Sequence, residues 1–258
     1  MNGSSSNFSI QESADLIIKA QHLVALTGAG ISTPSGIPDF RSHDSGLWER
    51  FDPMSVASLT SFRYNPDQFF EWVTPLLRTI MNAKPNPAHN ALAELERHGH
   101  LQAIITQNID NLHLRAGSEC VHEIHGHLRK ASCTSCFKSF DTQDYLRNFV
   151  EEGIMPYCDE CGGVLKPCIV LYGEQLPADI IRAADQSMQD ADLILVAGSS
   201  LEVTPAATLP IPALNRGARL IIINHDPTYL DERADVIIQQ DVADVLPKIV
   251  KEVLREHE

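Results

Sequence analysis

Along the chain, short continuous apolar runs alternate with longer stretches in which apolar residues recur every three or four positions. Leu23 to Leu26, Leu101 to Thr106, Val121 to Ile124, Ile169 to Leu171, Leu193 to Ala197, Leu220 to Ile223 and Val236 to Ile238 read as strands. Several carry no polar alternation, which predicts a parallel sheet covered by helices on both faces. A capping box at Ser9-Ile10-Gln11-Glu12 opens the first helix, with Ile10, Ala14, Ile17 and Ile18 on one side. Asn65-Pro66 opens another, whose broad apolar face of Phe69, Phe70, Trp72, Val73, Leu76, Leu77 and Ile80 suits a core and leaves room to line a pocket. Pro75 should kink or divide that helix. Further helices are expected from Asn86-Pro87 to Gly99, from Pro177 onward, and from Asp241 through Val242, Val245, Leu246, Ile249 and Val250. The alternation predicts an α/β fold with a doubly wound parallel sheet, Rossmann-like.

One segment, roughly 129–166, interrupts the sheet pattern. It holds Cys133-x-x-Cys136 and Cys158-x-x-Cys161 with 21 residues between the pairs, and a short helix predicted from near Asp141. Such spacing reads as a tetrahedral zinc site, and four thiolates close the coordination sphere, so the metal would be structural. So small a segment cannot build a core alone, and a metal would supply the missing stability. The other two of the six cysteines, Cys120 and Cys168, read as inert buried thiols.

Composition narrows the setting. The 258 residues are 43% apolar, with no run long enough to cross a membrane. The opening MNGSSSNFSI lacks the features of a signal peptide and reads as a disordered leader, consistent with a cytoplasmic protein. The formal charge of −14, from 34 acids against 20 bases, argues against direct nucleic-acid binding. The acidity serves solubility or attracts basic partners such as lysine-rich segments.

Polar residues crowd the exits of the predicted strands, where open α/β sheets bind ligands. Gly28-Ala29-Gly30 follows the first strand, either as an ordinary sharp turn or as a backbone cradle for a pyrophosphate; Thr33 stands where a third glycine would complete the usual fingerprint. Gly36-Ile37-Pro38-Asp39-Phe40-Arg41 combines glycine, proline, acid, aromatic and base in one loop suited to gripping a charged, ring-bearing cofactor. Gln107-Asn108-Ile109-Asp110-Asn111-Leu112-His113 holds more polar groups than a helix cap needs. His125-Gly126, Gly198-Ser199-Ser200 and Asn224 stand at other strand ends.

In order and spacing, GAGIS with GIPDFR, TQNIDNLH, HG, the two C-x-x-C pairs, YGE, GSSLEV and IN resemble the sirtuins, the NAD-dependent protein deacylases, over about residues 10–250. That resemblance implies NAD as cofactor, one structural zinc ion, and an acyl-lysine protein or peptide as substrate, converted to lysine, nicotinamide and O-acyl-ADP-ribose. It implies His125 as general base and Asn108 as the residue ordering ribose and water. Gln107 would touch the nicotinamide ribose, while Ile109 and Asp110 would hold the carboxamide. Gly28, Ala29, Gly30, Asp39, Phe40 and Arg41 would form the cofactor loop, with Gly198, Ser199, Ser200 and Asn224 on the phosphate and adenosine-ribose side. Val170, Leu171, Tyr172, Gly173 and Glu174 would pair with the substrate peptide. Tyr172 stands where family members usually carry Phe, and Ser199 where many carry Thr. Sirtuins that prefer acidic acyl groups place a Tyr and an Arg three residues apart in the pocket helix, and Phe69 to Pro75 contains neither.

The implied organisation is an NAD-binding Rossmann-like domain from 1–41, 86–128 and 167–258, with 42–85 (helical) and 129–166 (zinc) forming a smaller helical and zinc-ribbon domain. A monomer without membrane or nucleic-acid partners is expected. Two other readings stay open: a protein mono-ADP-ribosyltransferase using the same loop, and a non-catalytic NAD sensor with a zinc interaction module.

Overall fold

The computed structural model describes residues 2–39 and 52–255. In chain order its helices are α1 (Asn2–Lys19), α2 (Pro53–Val56), α3 (Leu59–Tyr64), α4 (Pro66–Asn82), α5 (Pro87–Arg97), α6 (Leu112–Ala116), α7 (Gln143–Glu152), α8 (Ala178–Asp190), α9 (Pro210–Asn215) and α10 (Val242–Arg255). Its strands are β1 (Leu23–Thr27), β2 (Leu101–Thr106), β3 (Val121–Glu123), β4 (Gly126–Cys133), β5 (Ser139–Asp141), β6 (Leu165–Ile169), β7 (Leu193–Ala197), β8 (Arg219–Ile223) and β9 (Val236–Ile238).

Six strands form one parallel sheet in the order β3-β2-β1-β7-β8-β9. Every residue of β1 and β7 is buried, because helices cover both faces. Alternate side chains divide between two cores. Leu23, Ala25, Leu193, Leu195 and Ile221 meet α1, α5 and α10, whereas Val24, Leu26, Ile194, Val196 and Ile222 meet α8 and α9. The chain builds outward from β1 to β3 and then returns to place β7 on the other side of β1. That reversal opens a crevice beyond the carboxyl ends of β1 and β7.

A second, three-stranded antiparallel sheet runs β5-β4-β6. A third core joins α3, α4 and α7, with Phe62, Phe69, Phe70, Leu77, Leu146, Phe149 and Val150 buried together.

Four expectations from the sequence need correction. Cys120 and Cys168 are half-buried and not fully buried thiols, since Cys120 lies just before the short edge strand β3 and Cys168 on the wetter side of β6. Ile169 to Leu171 is not a strand of the parallel sheet; only Ile169 is in a strand, at the end of β6 in the small antiparallel sheet. The alternating burial of Leu165, Pro167 and Ile169 fits a strand with one wetter face, and Pro167 hides that alternation in the sequence. The serine-rich leader is helical, since α1 already starts at Asn2 and Ser9–Glu12 lies inside it. Extending a helix from a docked segment costs far less than nucleating one. Pro75 does not divide α4, which runs unbroken for 17 residues because Phe70, Val73, Leu76 and Leu77 anchor it on both sides of the proline. Among the described residues no helix is long and apolar enough to cross a membrane.

Candidate active site

The crevice at the strand-order reversal is lined by backbone. Gly30 N donates to Gly198 O at 2.9 Å, locking the turn after β1 to the turn after β7. A Cβ on Gly28 or on Gly30 would stand 2.9 Å from that same carbonyl oxygen. At Gly198 a Cβ would fall 2.2 Å from Ile31 N, and its φ of +62° is one that other residues rarely adopt. The two turns approach this closely only because all three positions are glycine. Around them lies a cavity of ≈ 850 Å³.

His125 sits between β3 and β4, with its side chain half-buried on the cavity wall. Its Nδ1 lies 3.0 Å from Gln107 O. A carbonyl oxygen only accepts, so the hydrogen of the neutral ring resides on Nδ1, which leaves the Nε2 lone pair available to take a proton. Burial lowers the pKa of His125 below its ordinary 6.5, with the Gln107 carbonyl acting in the opposite direction. At neutral pH the ring is therefore an uncharged base.

Asn108 is held just as firmly. Its Nδ2 donates to Gly28 O at 3.0 Å and to Ser32 Oγ at 3.1 Å, so both amide hydrogens are used within the protein. Ser32 in turn donates to Asp110 Oδ2 at 2.6 Å, and Leu112 N donates to Asp110 Oδ1 at 2.8 Å. Burial raises the pKa of Asp110, against which both hydrogen bonds act. Behind this chain stand His89 and His113, rings 4.9 Å apart. Desolvation lowers their pKa values to about 4 and about 3, so both are neutral struts at ordinary pH. His113 Nε2 meets Thr27 Oγ1 at 2.9 Å.

The structure brings most of the sequence-predicted residues to one cavity. Gly28, Ala29, Gly30, Asp39, Gln107, Asn108, Ile109 and His125 line it on the β1 and β2 side. Gly198, Ser199, Ser200 and Asn224 line it beyond β7 and β8, and Val170, Leu171, Tyr172, Gly173 and Glu174 along the segment after β6. Gln107 Nε2 donates to Ser199 Oγ at 3.0 Å, bridging the first two groups. Asp110 is buried one layer behind the wall. Phe40 and Arg41 lie outside the described residues.

Tyr172 holds its segment in place: its N donates to Ala57 O and its O accepts from Leu59 N, each at 2.9 Å. Glu174 accepts from Leu171 N at 2.8 Å and pairs with Lys166 at 2.9 Å. Ser32, His89 and His113 have no role that the sequence alone assigns. Their signals were present as the last residue of GAGIS, the third residue of the α5 N-terminal turn and the end of QNIDNLH. Of the apolar residues of α4, Trp72, Val73 and Leu76 face the cavity, a choice that periodicity does not make.

The sequence profile of the Sir2 family matches residues 28–205. An NAD-dependent protein deacylase of Archaeoglobus fulgidus is 46% identical over 247 residues, 95% of this chain and 96% of that one. The chain belongs to the Sir2 family. A solved Sir2 enzyme superposes with a TM-score of 0.91 at 45% identity, over 97% of this chain and 99% of its own. A Sir2 homologue in complex with NAD gives 0.87 at 41%, covering 96% and 94%. The crevice of this Sir2 chain fits such a dinucleotide. Its glycine turns put no side chain between backbone and cavity, and Ser199 and Ser200 add hydroxyls beside them. Among the described residues no Lys or Arg lines the cavity, and Arg41 of the expected cofactor loop lies outside them.

The zinc site of this Sir2 chain is equally well defined. Cys133, Cys136, Cys158 and Cys161 place their Sγ atoms within 4.8 Å of one another. The Cys133–Cys161 and Cys136–Cys158 sulfurs are 3.4 and 3.7 Å apart. A tetrahedron with Zn–S bonds of about 2.3 Å has edges of roughly 3.8 Å, so the four thiols need little adjustment to close on one ion. Ser135 N and Cys136 N point at Cys133 Sγ, at 3.4 and 3.5 Å, supplying the outer hydrogen bonds typical of such knuckles. No cysteine of the four lines the cavity, so the ion would be structural.

Proposed function

We propose that this protein removes acyl groups from lysine side chains of proteins, using NAD, with His125 as the general base. The observation that carries the proposal is the half-buried His125 ring, fixed by Gln107 O with its free nitrogen available at the same cavity as the glycine cradle. Bound NAD supplies a ribose carbon whose bond to nicotinamide is exchanged for one to the acyl oxygen. Asn108, with both amide hydrogens committed to Gly28 and Ser32, offers Oδ1 to orient a ribose hydroxyl or water. His125 Nε2 takes the proton from a ribose hydroxyl, and its uncharged resting state lets it do so at neutral pH. Residues 170–174 line the cavity where an extended peptide would lie; the N–H groups of Val170, Leu171, Tyr172 and Glu174 already donate within the protein, which leaves carbonyl groups and Gly173 to meet the peptide main chain. Trp72, Val73 and Leu76 keep water from the acyl side.

Mass spectrometry of an acetyl-lysine peptide incubated with NAD tests this. Loss of the acyl group is expected; gain of ADP-ribose on an intact peptide would instead favour a transferase.

The base assignment predicts a pH profile. Protonated His125 cannot accept a proton, so kcat/KM should fall as pH drops through a pKa below 6.5 and stay level above it. A limb centred well above 6.5 would point to another base.

Acyl preference follows from the wall. Asp39, Glu174, Glu202 and Asp226 line the cavity together with the apolar α4 residues, and no cationic Lys or Arg does among the described residues. A succinyl carboxylate buried there without a partner costs several kcal/mol. Neutral acyl groups, acetyl first, are expected to exceed succinyl in kcat/KM by about tenfold or more, the factor each 1.4 kcal/mol supplies. A higher kcat/KM for succinyl than for acetyl, butyryl and myristoyl would refute this picture of the pocket.

The division into a dinucleotide domain (1–41, 86–128 and 167–258) and a small domain (42–85 and 129–166) is part of the same proposal. It is supported by the shared core of α3, α4 and α7. A cytoplasmic setting is supported by the absence of disulfides among the described residues.

A further inference from the structure

Helix α7 belongs to two cores at once. Its Tyr145 packs on the small zinc-module core of Ala131, Cys133, Cys158 and Leu165, and donates a hydrogen bond to Asp159, the neighbour of Cys158. Its Leu146, Phe149 and Val150 join the aromatic core of α3 and α4 instead. From there the rings form a continuous file. Phe149 meets Phe70 at 5.0 Å between centroids, Phe70 meets Phe69 at 5.3 Å, and Phe69 meets Trp72 at 6.0 Å. Trp72 lines the cavity with Val73 and Leu76, while Phe149 does not line it. A second tie runs alongside, from Arg78 Nη2 to Val150 O at 3.1 Å.

We propose that α7 is the buttress of the acyl-side wall, and that Phe149 is a positioning residue setting the shape of that wall through Phe70, Phe69 and Trp72. The inference rests on the deacylase reading, which gives the α4 wall its acyl-lysine ligand. Interiors packed at crystal density do not deform smoothly, so a ring removed from the outer end of the file lets the next ring turn into the space. Phe70 then shifts, and Trp72 follows. The dinucleotide side contributes no ring to this file; Ile37 and Ile109 touch the same core only through aliphatic side chains. That side is fixed by the main-chain bond from Gly30 to Gly198 and by the Asn108 bonds to Gly28 and Ser32. Loss of Phe149 should therefore act on the acylated peptide and spare NAD. The same path makes the zinc module a determinant of acyl selectivity, although no cysteine ligand lines the cavity.

The test uses the full-length, zinc-loaded protein and the variants Phe149→Ala and Phe149→Leu. KM and kcat are measured with acetyl-lysine and myristoyl-lysine peptides, NAD affinity by calorimetry, and zinc by metal analysis. Phe149→Ala should raise peptide KM by about tenfold and shift the myristoyl-to-acetyl ratio of kcat/KM by at least about threefold, with Phe149→Leu in between. NAD affinity should stay within about twofold of the parent, since an effect confined to the peptide is what distinguishes positioning from general loosening. A peptide KM that does not move, or one that moves in step with NAD affinity, would overturn the inference.

If Phe149→Ala does not fold, Phe149→Leu combined with Trp72→Ala decides. Non-additive changes in peptide KM are expected for coupled rings, and strict additivity would overturn the coupling. Parent activity is measured first: a parent that binds NAD but removes no acyl group would refute the deacylase reading itself, and this inference with it.

Discussion

His125→Ala should cut NAD-dependent deacylation by about 10²–10⁴-fold, the usual effect of removing a general base. Affinity for NAD should change little, because the cradle at Gly28, Gly30 and Gly198 is made of backbone and does not involve the imidazole. The fold should survive as well. Among the described residues the His125 side chain bonds only to Gln107 O, while its backbone carbonyl still accepts from Val170 N at 2.9 Å whatever the side chain. The appropriate comparison is single-turnover kinetics with saturating NAD, together with calorimetric NAD binding and a thermal melt. Near-normal turnover from a folded variant would remove His125 from the mechanism. A variant that loses turnover and NAD affinity in proportion would show a binding role instead of a proton-transfer role.

The central strands were legible in the sequence because both of their faces are buried. β1, β2, β7 and β8 therefore appear as nearly unbroken apolar runs, and their ends delivered Gly28, Asn108, Gly198 and Asn224 to the right edge of the sheet. β4 and β6 were not legible. Each has a wetter face, carrying Arg129 and Lys130 on one strand and Lys166 on the other, and Pro167 and Gly126 obscure what periodicity remains.

His125 and Asn108 stand out as polar groups at the exits of apolar strands. Ser32, His89 and His113 acquire their places only when the turn after β1, the start of α5 and α6 converge, a relation no local pattern encodes. On α4 apolar residues surround much of the helix. Periodicity alone cannot separate Phe69 and Phe70, which are fully buried, from Trp72, Val73 and Leu76, which face the cavity.

Zinc removal should have the second large effect. The core around the cysteines is tiny: apart from Cys133 and Cys158 themselves, only Ala131 and Leu165 are buried in it. Too little apolar surface is hidden there to offset the entropy of ordering the knuckles and β4–β6. A structural zinc ion binds with an apparent free energy of about 10–16 kcal/mol, as large as the entire stability of a typical domain. Cys133 is 1% exposed, so a Ser in its place would bury a hydroxyl that is a far poorer zinc ligand than the thiolate.

Chelation, or Cys133→Ser, should therefore unfold the segment between β4 and β6 and release α7 from α4. Deacylase activity should fall with it, while NAD still binds at the glycine turns. Metal analysis of the parent should give one zinc per chain, in line with a single four-cysteine cluster among the described residues. Limited proteolysis should then cut between 134 and 164 in the metal-free protein and not in the parent. The exposed Cys161 is where a chelator would first gain access. A metal-free preparation that resists proteolysis and retains full turnover would show that these four thiols serve some purpose other than holding the module together.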